Sequence, residues 1–169
     1  KAIGISGNEL YQEYKNSLNH GYELLTNNIK SYISKSNIIT DKGTTNLHPT
    51  WSPDGKKIAF ISNADNDFFN QTDLFIYDVN NNASENIQKN VVSSPSWNPD
   101  GNVIYYSKRS KYPNKNGSKF FDIYEYHIND KKENRLTIDS RGFSPCFIPS
   151  DSSLAYLSTY DGGQNIYNK

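Results

Sequence analysis

Several things are scarce in this chain, and each scarcity removes a class of protein. One cysteine, Cys146, excludes an internal disulfide. It stands between Pro145 and Phe147 with no basic neighbour to lower its pKa, so it reads as a small packed strand residue and not as a reactive thiol. No run of about 18 apolar residues occurs, so no helical membrane span is expected. Charge of neither sign is in excess: 18 basic and 18 acidic residues cancel, which gives no global attraction to nucleic acid or to an anionic membrane. His-Glu-x-x-His, Gly-x-Ser-x-Gly and a glycine-rich phosphate loop are all missing, so no catalytic signature and no cofactor is expected. Gly4-Ile-Ser-Gly7 is read as a helix start, not a nucleophile turn. Methionine is absent and the chain opens on Lys1, which suggests a processed product or a piece of something longer.

What the chain has in quantity is aromatic: 13 Tyr, 8 Phe and 2 Trp in an otherwise polar sequence. Aromatic residues suit pleated, half-buried surfaces, while Asn, Asp, Ser and Gly fill turns, so a strand-rich fold is expected. The aromatics also keep time. His48-Pro-Thr-Trp-Ser-Pro-Asp-Gly55, Ser94-Pro-Ser-Trp-Asn-Pro-Asp-Gly101 and, more loosely, Ser144-Pro-Cys-Phe-Ile-Pro-Ser-Asp151 place Trp51, Trp97 and Phe147 at spacings of 46 and 50 residues. A period of that length marks a supersecondary unit that must stack on its neighbours to bury its faces.

Within each unit, Ser-Pro-Asp-Gly is hairpin chemistry: proline presets φ, aspartate bonds its own backbone, and glycine takes positive φ. Second strands are expected at 57–62, 103–108 and 153–158, third strands at 73–79, 122–128 and 165–169, and weaker fourth strands at 85–91 and 133–139. Ile58 and Phe60 alternate with Ala59 and Ile61, so this strand is apolar on both faces and needs cover on both. Stacked copies of one antiparallel four-stranded unit supply that cover, which is the logic of a β-propeller blade. The expected fold is mainly β: two complete blades, about 46–91 and 92–139, and an incomplete third, 140–169, within a segment 36–169. Propellers typically have about 4 to 8 blades, so the exposed faces suggest a fragment or self-association.

Residues 1–35 follow another pattern and form a helical lead-in, read as the end of a preceding domain or a strap. Ser6-Gly-Asn-Glu9 is a capping box, followed at helical spacing by Leu10, Tyr14 and Leu18, which predicts a helix over 7–19. A second, weaker helix is expected over 22–33, Asn27 and Asn28 being poor helix formers. Residues 36–42 resemble an additional strand.

The run Thr50-Trp-Ser-Pro-Asp-Gly-Lys-Lys-Ile-Ala-Phe-Ile-Ser62, followed by Asp73-Leu-Phe-Ile-Tyr-Asp78, resembles the blade repeat of TolB-like (WD-like) propellers over about 46–169. The third copy departs from it, Ser150-Asp151 standing where the others have Asp-Gly, so its turn must use Asp151 or a longer loop. The resemblance implies a protein or peptide partner and a periplasmic or extracellular bacterial location. It also implies that His48, Ser94 and Ser144, each before the repeat proline, lie near a channel mouth. The leading expectation is a non-catalytic interaction module. The same repeat occurs in propellers of prolyl oligopeptidase-like enzymes and of gluzincin-type peptidase fusions, and Gly7-Asn-Glu-Leu-Tyr-Gln-Glu-Tyr14 resembles the last helix of the latter, so a propeller gating or regulating a peptidase is the alternative. A metal-dependent pectate lyase would need more channel histidines than this chain supplies.

Outside the repeat, Lys108, Arg109, Lys111, Lys115 and Lys119 crowd one interstrand region and are candidates for an anionic partner against the simpler reading of a solvated run. Asp65 and Asp67 alternate like calcium ligands but lack the glycine and distal glutamate of an EF-hand, so a solvated loop is favoured. His20 and His127 are read as structural.

Overall fold

The computed structural model describes residues 4–30 and 37–169, without the side chain of Asn28. Two compact units result, Lys1–Ile38 and Ile39–Lys169. In the first, helix α1 runs unbroken from Gly7 to Lys30. Its capping box forms as the sequence predicts: the Glu9 amide donates to Ser6 Oγ (3.2 Å) and the Ser6 amide to Glu9 Oε2 (2.6 Å). Two separate helices are not found up to Lys30. Gly21 costs about 1 kcal/mol of helix propensity relative to alanine but breaks no hydrogen bond, and no proline stops the helix. The part of the second predicted helix at 31–33 lies outside the described residues, as does Ser36 of the additional strand. Residues 37–42 form no strand, since no described edge pairs with them.

The second unit is a partial β-propeller of three antiparallel meanders. The first blade comprises β1 (Asn46–Trp51), β2 (Lys57–Ser62), β3 (Asp73–Asp78) and β4 (Ala83–Gln88). The next comprises β5 (Ser96–Trp97), β6 (Val103–Arg109), β7 (Phe121–His127) and β8 (Lys132–Arg135). The last has β9 (Gly142–Ile148), β10 (Ser153–Ser158) and β11 (Asn165–Asn168). The repeat turn closes as expected, Gly55 N donating to Ser52 O and Gly101 N to Asn98 O, with both glycines at φ 69°. In the third blade positive φ moves to Ser152 (57°), and Asp151 Oδ1 accepts the Ser153 amide (3.1 Å), so Asp151 does serve the altered turn.

The second blade meets a neighbouring blade on each face. Ala59 and Ile61 of β2 and Leu74 and Ile76 of β3 share one face and pack on Trp97, Ile104, Tyr106, Tyr124 and Tyr126 of the second blade, with Val91 fully buried between. The opposite face carries Phe60 stacked on Phe75, centroids 5.6 Å apart. The second blade's other face receives the third: Tyr105 stacks on Phe147 (5.6 Å), and Ser107 Oγ donates to Gly142 O (2.6 Å). A Cβ on Gly142 would come within 3.1 Å of the Ile123 side chain, so this close approach selects glycine.

Buried carboxylates fix the crossing from one blade to the next. Asp73, the first residue of β3, and Asp122, the second of β7, are fully buried. Asp73 accepts the Asn90 amide and Asn86 Nδ2, each at 2.9 Å. Asp122 accepts the Ser140 amide (2.9 Å), Ser140 Oγ (3.0 Å), Thr137 Oγ1 (3.1 Å) and Arg135 Nη2 (2.6 Å). These bonds draw the fourth strand's trailing segment inward. That is why β4 and β8 end earlier than the sequence suggests: Val91 forms an isolated bridge with Lys108, and Thr137 donates its amide to Ile123 O.

Cys146 is exposed, contrary to the packed position expected for it. Side chains alternate along β9, Pro145 is buried and Phe147 faces Tyr105, so Cys146 takes a face that no described element covers.

Trp51 and Trp97 hold the same repeat position in different surroundings. Trp97 is 9% exposed and donates Nε1–H to Thr50 O (3.2 Å), whereas Trp51 is 59% exposed. Trp97→Ala is expected to cost about 3 to 5 kcal/mol and Trp51→Ala under about 1 kcal/mol. Equal losses in urea unfolding would contradict the stacking direction described.

Candidate functional site

Two surfaces gather the residues that the sequence singled out. The first lies along the first strands of the blades, which adjoin through the Trp97–Thr50 bond and through Phe147 N donating to Ser96 Oγ (3.1 Å). In β1 the register with β2 shifts between Leu47 and Thr50, and His48 sits in the bulge at φ 55°. In β9 a like shift accompanies Ser144 at φ 49°. Both side chains are exposed, and both precede a proline, a position normally biased to extended backbone. A left-handed bulge re-aims a side chain and interrupts pairing, and non-glycine residues held this way cost on the order of 1 to 3 kcal/mol. Ser94 does not share the device: it is half-buried, precedes β5 and lacks positive φ. The repeat thus gives two equivalent exposed bulges and one exception.

The second surface is a cleft of about 1070 Å3 where the ends of the first two blades meet. The first blade contributes Asp65 and the stretch Asn86 to Asn90, the second Lys108 to Tyr112, Lys119, Tyr124, Glu133 and Arg135. Lys108 lies on β6, not in the loop, and is engaged: Nζ donates to Glu133 Oε1 (2.7 Å) and Oε2 (2.8 Å) and to Gln88 Oε1 across the blade boundary (3.1 Å). Arg135 is tied to Asp122. Arg109 Nε donates to Lys119 O (3.3 Å), with its guanidinium 5.7 Å from the Phe121 ring. Lys111 stands 5.8 Å from the Tyr112 ring. Lys115 shares the loop but is not among the lining residues. Sequence reasoning missed Lys89, which lies far along the chain from the basic run and joins it only because blades stack.

Asp65 accepts a hydrogen bond from Asn86 Nδ2 (3.1 Å) and walls this cleft, while Asp67 remains in the exposed loop. Among the described residues no three His, Cys, Asp or Glu side chains cluster as metal ligands. His127 Nε2 lies 3.0 Å from Glu125 Oε1 on the same strand face, and His20 lies within α1.

Beneath the cleft, the buried Tyr106 hydroxyl donates to Glu133. Burial first, then this bond, push its phenol far above the ordinary 10.0. The folded state therefore holds this proton more tightly than the unfolded chain. The stabilisation is complete below about pH 10 and is lost as pH rises beyond it. Urea midpoints are expected to fall above that pH, and less steeply in Tyr106→Phe. An alkaline limb unchanged by the substitution would contradict this account of Tyr106.

No family model matches the chain. The Tol-Pal system protein TolB of Ruthia magnifica subsp. Calyptogena magnifica is 36% identical over 97 residues, which cover 55% of this chain and 20% of that protein. Among solved structures, a putative TolB from Agrobacterium tumefaciens superposes with a TM-score of 0.61 at 23% identity, covering 76% of this chain and 45% of its own. The tricorn protease superposes at 0.54 with 15% identity, over 70% of this chain and 11% of its own. This chain therefore spans a fifth of the curated relative's length and less than half of the TolB structure. Its blades share the β-propeller fold of the TolB structures.

Proposed function

We propose that these blades form a non-catalytic protein-interaction module of a bacterial envelope or secreted protein, periplasmic or extracellular in location. The observation that carries this reading is the pair of exposed bulges at His48 and Ser144, held at fixed places on a stacked scaffold, with the exposed ring of Trp51 on the same strand as His48. A rigid frame with re-aimed polar side chains and an accessible indole is well suited to a protein surface, where aromatic anchors carry much of the binding energy. Similarity to a protein named for the Tol-Pal system supports the same class of role.

Likeness to the tricorn protease favours a second reading, in which the propeller gates or regulates a peptidase, prolyl oligopeptidase-like or gluzincin, carried elsewhere. Self-association through the open blade faces is a further mode, for which light scattering above 19.3 kDa would speak and a concentration-independent monomer mass against.

A photo-crosslinking residue in place of His48 is expected to trap a discrete partner from a bacterial envelope extract, and Trp51→Ala in the same background to abolish the adduct. Adducts equally abundant at an outward position such as Lys56 would contradict the interaction reading. Peptidase subunits among the trapped partners would move it to the second.

A further inference from the structure

We infer that the cleft between the first two blades is a docking groove for an acidic, extended polypeptide segment. This rests on the interaction-module reading and adds a second surface with a defined ligand chemistry.

Charge comes first. Six cations line the cleft, Lys89, Lys108, Arg109, Lys111, Lys119 and Arg135, against the carboxylates of Asp65 and Glu133. Internal pairing consumes two of them, Lys108 with Glu133 and Arg135 with the buried Asp122. Lys89, Arg109, Lys111 and Lys119 have no carboxylate partner among the described residues. All four are exposed, two blades contribute them, and Asp65 is the single lining carboxylate left to oppose them. Clefts walled by protein focus such a field more than a convex surface does.

Shape and backbone select the class of anion. β4 is the outermost strand of its sheet, so the backbone groups on its outer edge are unpaired, and Asn86, Ile87 and Gln88 of that strand line the cleft. An extended chain that lies along this edge gains main-chain hydrogen bonds while its carboxylates reach the cations, the mode of strand addition. Exposed Tyr112 offers one apolar contact at the rim. A single-stranded nucleic acid would want a series of stacking rings along the groove, and one exposed tyrosine, with Tyr124 buried, does not supply it. Lys108, held by Glu133, donates across the blade boundary to Gln88 Oε1 (3.1 Å) and so ties the two walls together, which leaves the groove preformed.

The test is fluorescence anisotropy of a labelled peptide of alternating glutamate and serine titrated with the whole chain. Saturable binding is expected, lost at high salt, and weakened by roughly tenfold or more in Lys89→Glu/Lys111→Glu/Lys119→Glu. Circular dichroism checks that this variant folds. If it does not, Lys111→Gln/Lys119→Gln is expected to weaken binding by a smaller factor. His48→Ala should leave the affinity unchanged. Absence of saturable binding, indifference to the charge reversals, or equal affinity for a labelled oligouridylate would overturn the inference. A His48 crosslink that persists while the acidic peptide fails would reject this groove alone, whereas loss of the crosslink with peptide binding retained would reject the reading of the first-strand bulges alone.

Discussion

Everything in the strand-rich unit depends on one constraint: the middle strands of each blade are apolar on both faces. Ala59 and Ile61 point one way and Ile58 and Phe60 the other, and all four are buried. A sheet of this kind gains stability from each face that a neighbour covers, so blades stack. Each isoleucine or phenylalanine side chain so covered contributes about 1.5 to 3 kcal/mol relative to exposure. Stacking brings Lys89 to the basic run of the next blade and aligns the first strands that carry His48 and Ser144. Both candidate surfaces are thus consequences of packing, although neither lies in the core.

Stacking alone leaves a lateral degree of freedom, which polar bonds remove. Asp73 and Asp122, at equivalent places and with no exposure, accept from the backbone that leads into the next blade. Trp97 reaches the Thr50 carbonyl, and Ser107 reaches Gly142. Buried polar groups demand partners, so these bonds specify one relative placement of neighbouring blades. The bulges at His48 and Ser144 sit at the margin of that scaffold, where a local backbone cost is tolerated because the flanking register is fixed on both sides.

Much of the fold was legible because local signals and packing agree. β2 and β10 match their expected bounds to the residue, since two-parity apolar runs are bracketed by proline-containing turns and polar loops. The capping box was equally plain. Where local preference and tertiary direction part, the sequence misleads. Residues 89–91 and 136–139 keep a strand-like composition, yet the buried aspartates pull them out of the sheet. Residues 37–42 look like a strand but have no described partner edge, and Cys146 owes its exposure to the parity that Phe147 takes from Tyr105. The site was legible only in part. Its basic run was visible, but membership of Lys89, the engagement of Lys108 by Glu133 and the left-handed backbone at His48 arise from the meeting of distant segments.

Native-state hydrogen exchange would test the stacking constraint most directly. The account predicts that the amides of Ala59, Ile61, Ile104 and Tyr106 are the most protected and open together with one free energy, because they belong to a single interblade core. Independent opening of the first and second blades, with separate free energies, would contradict it.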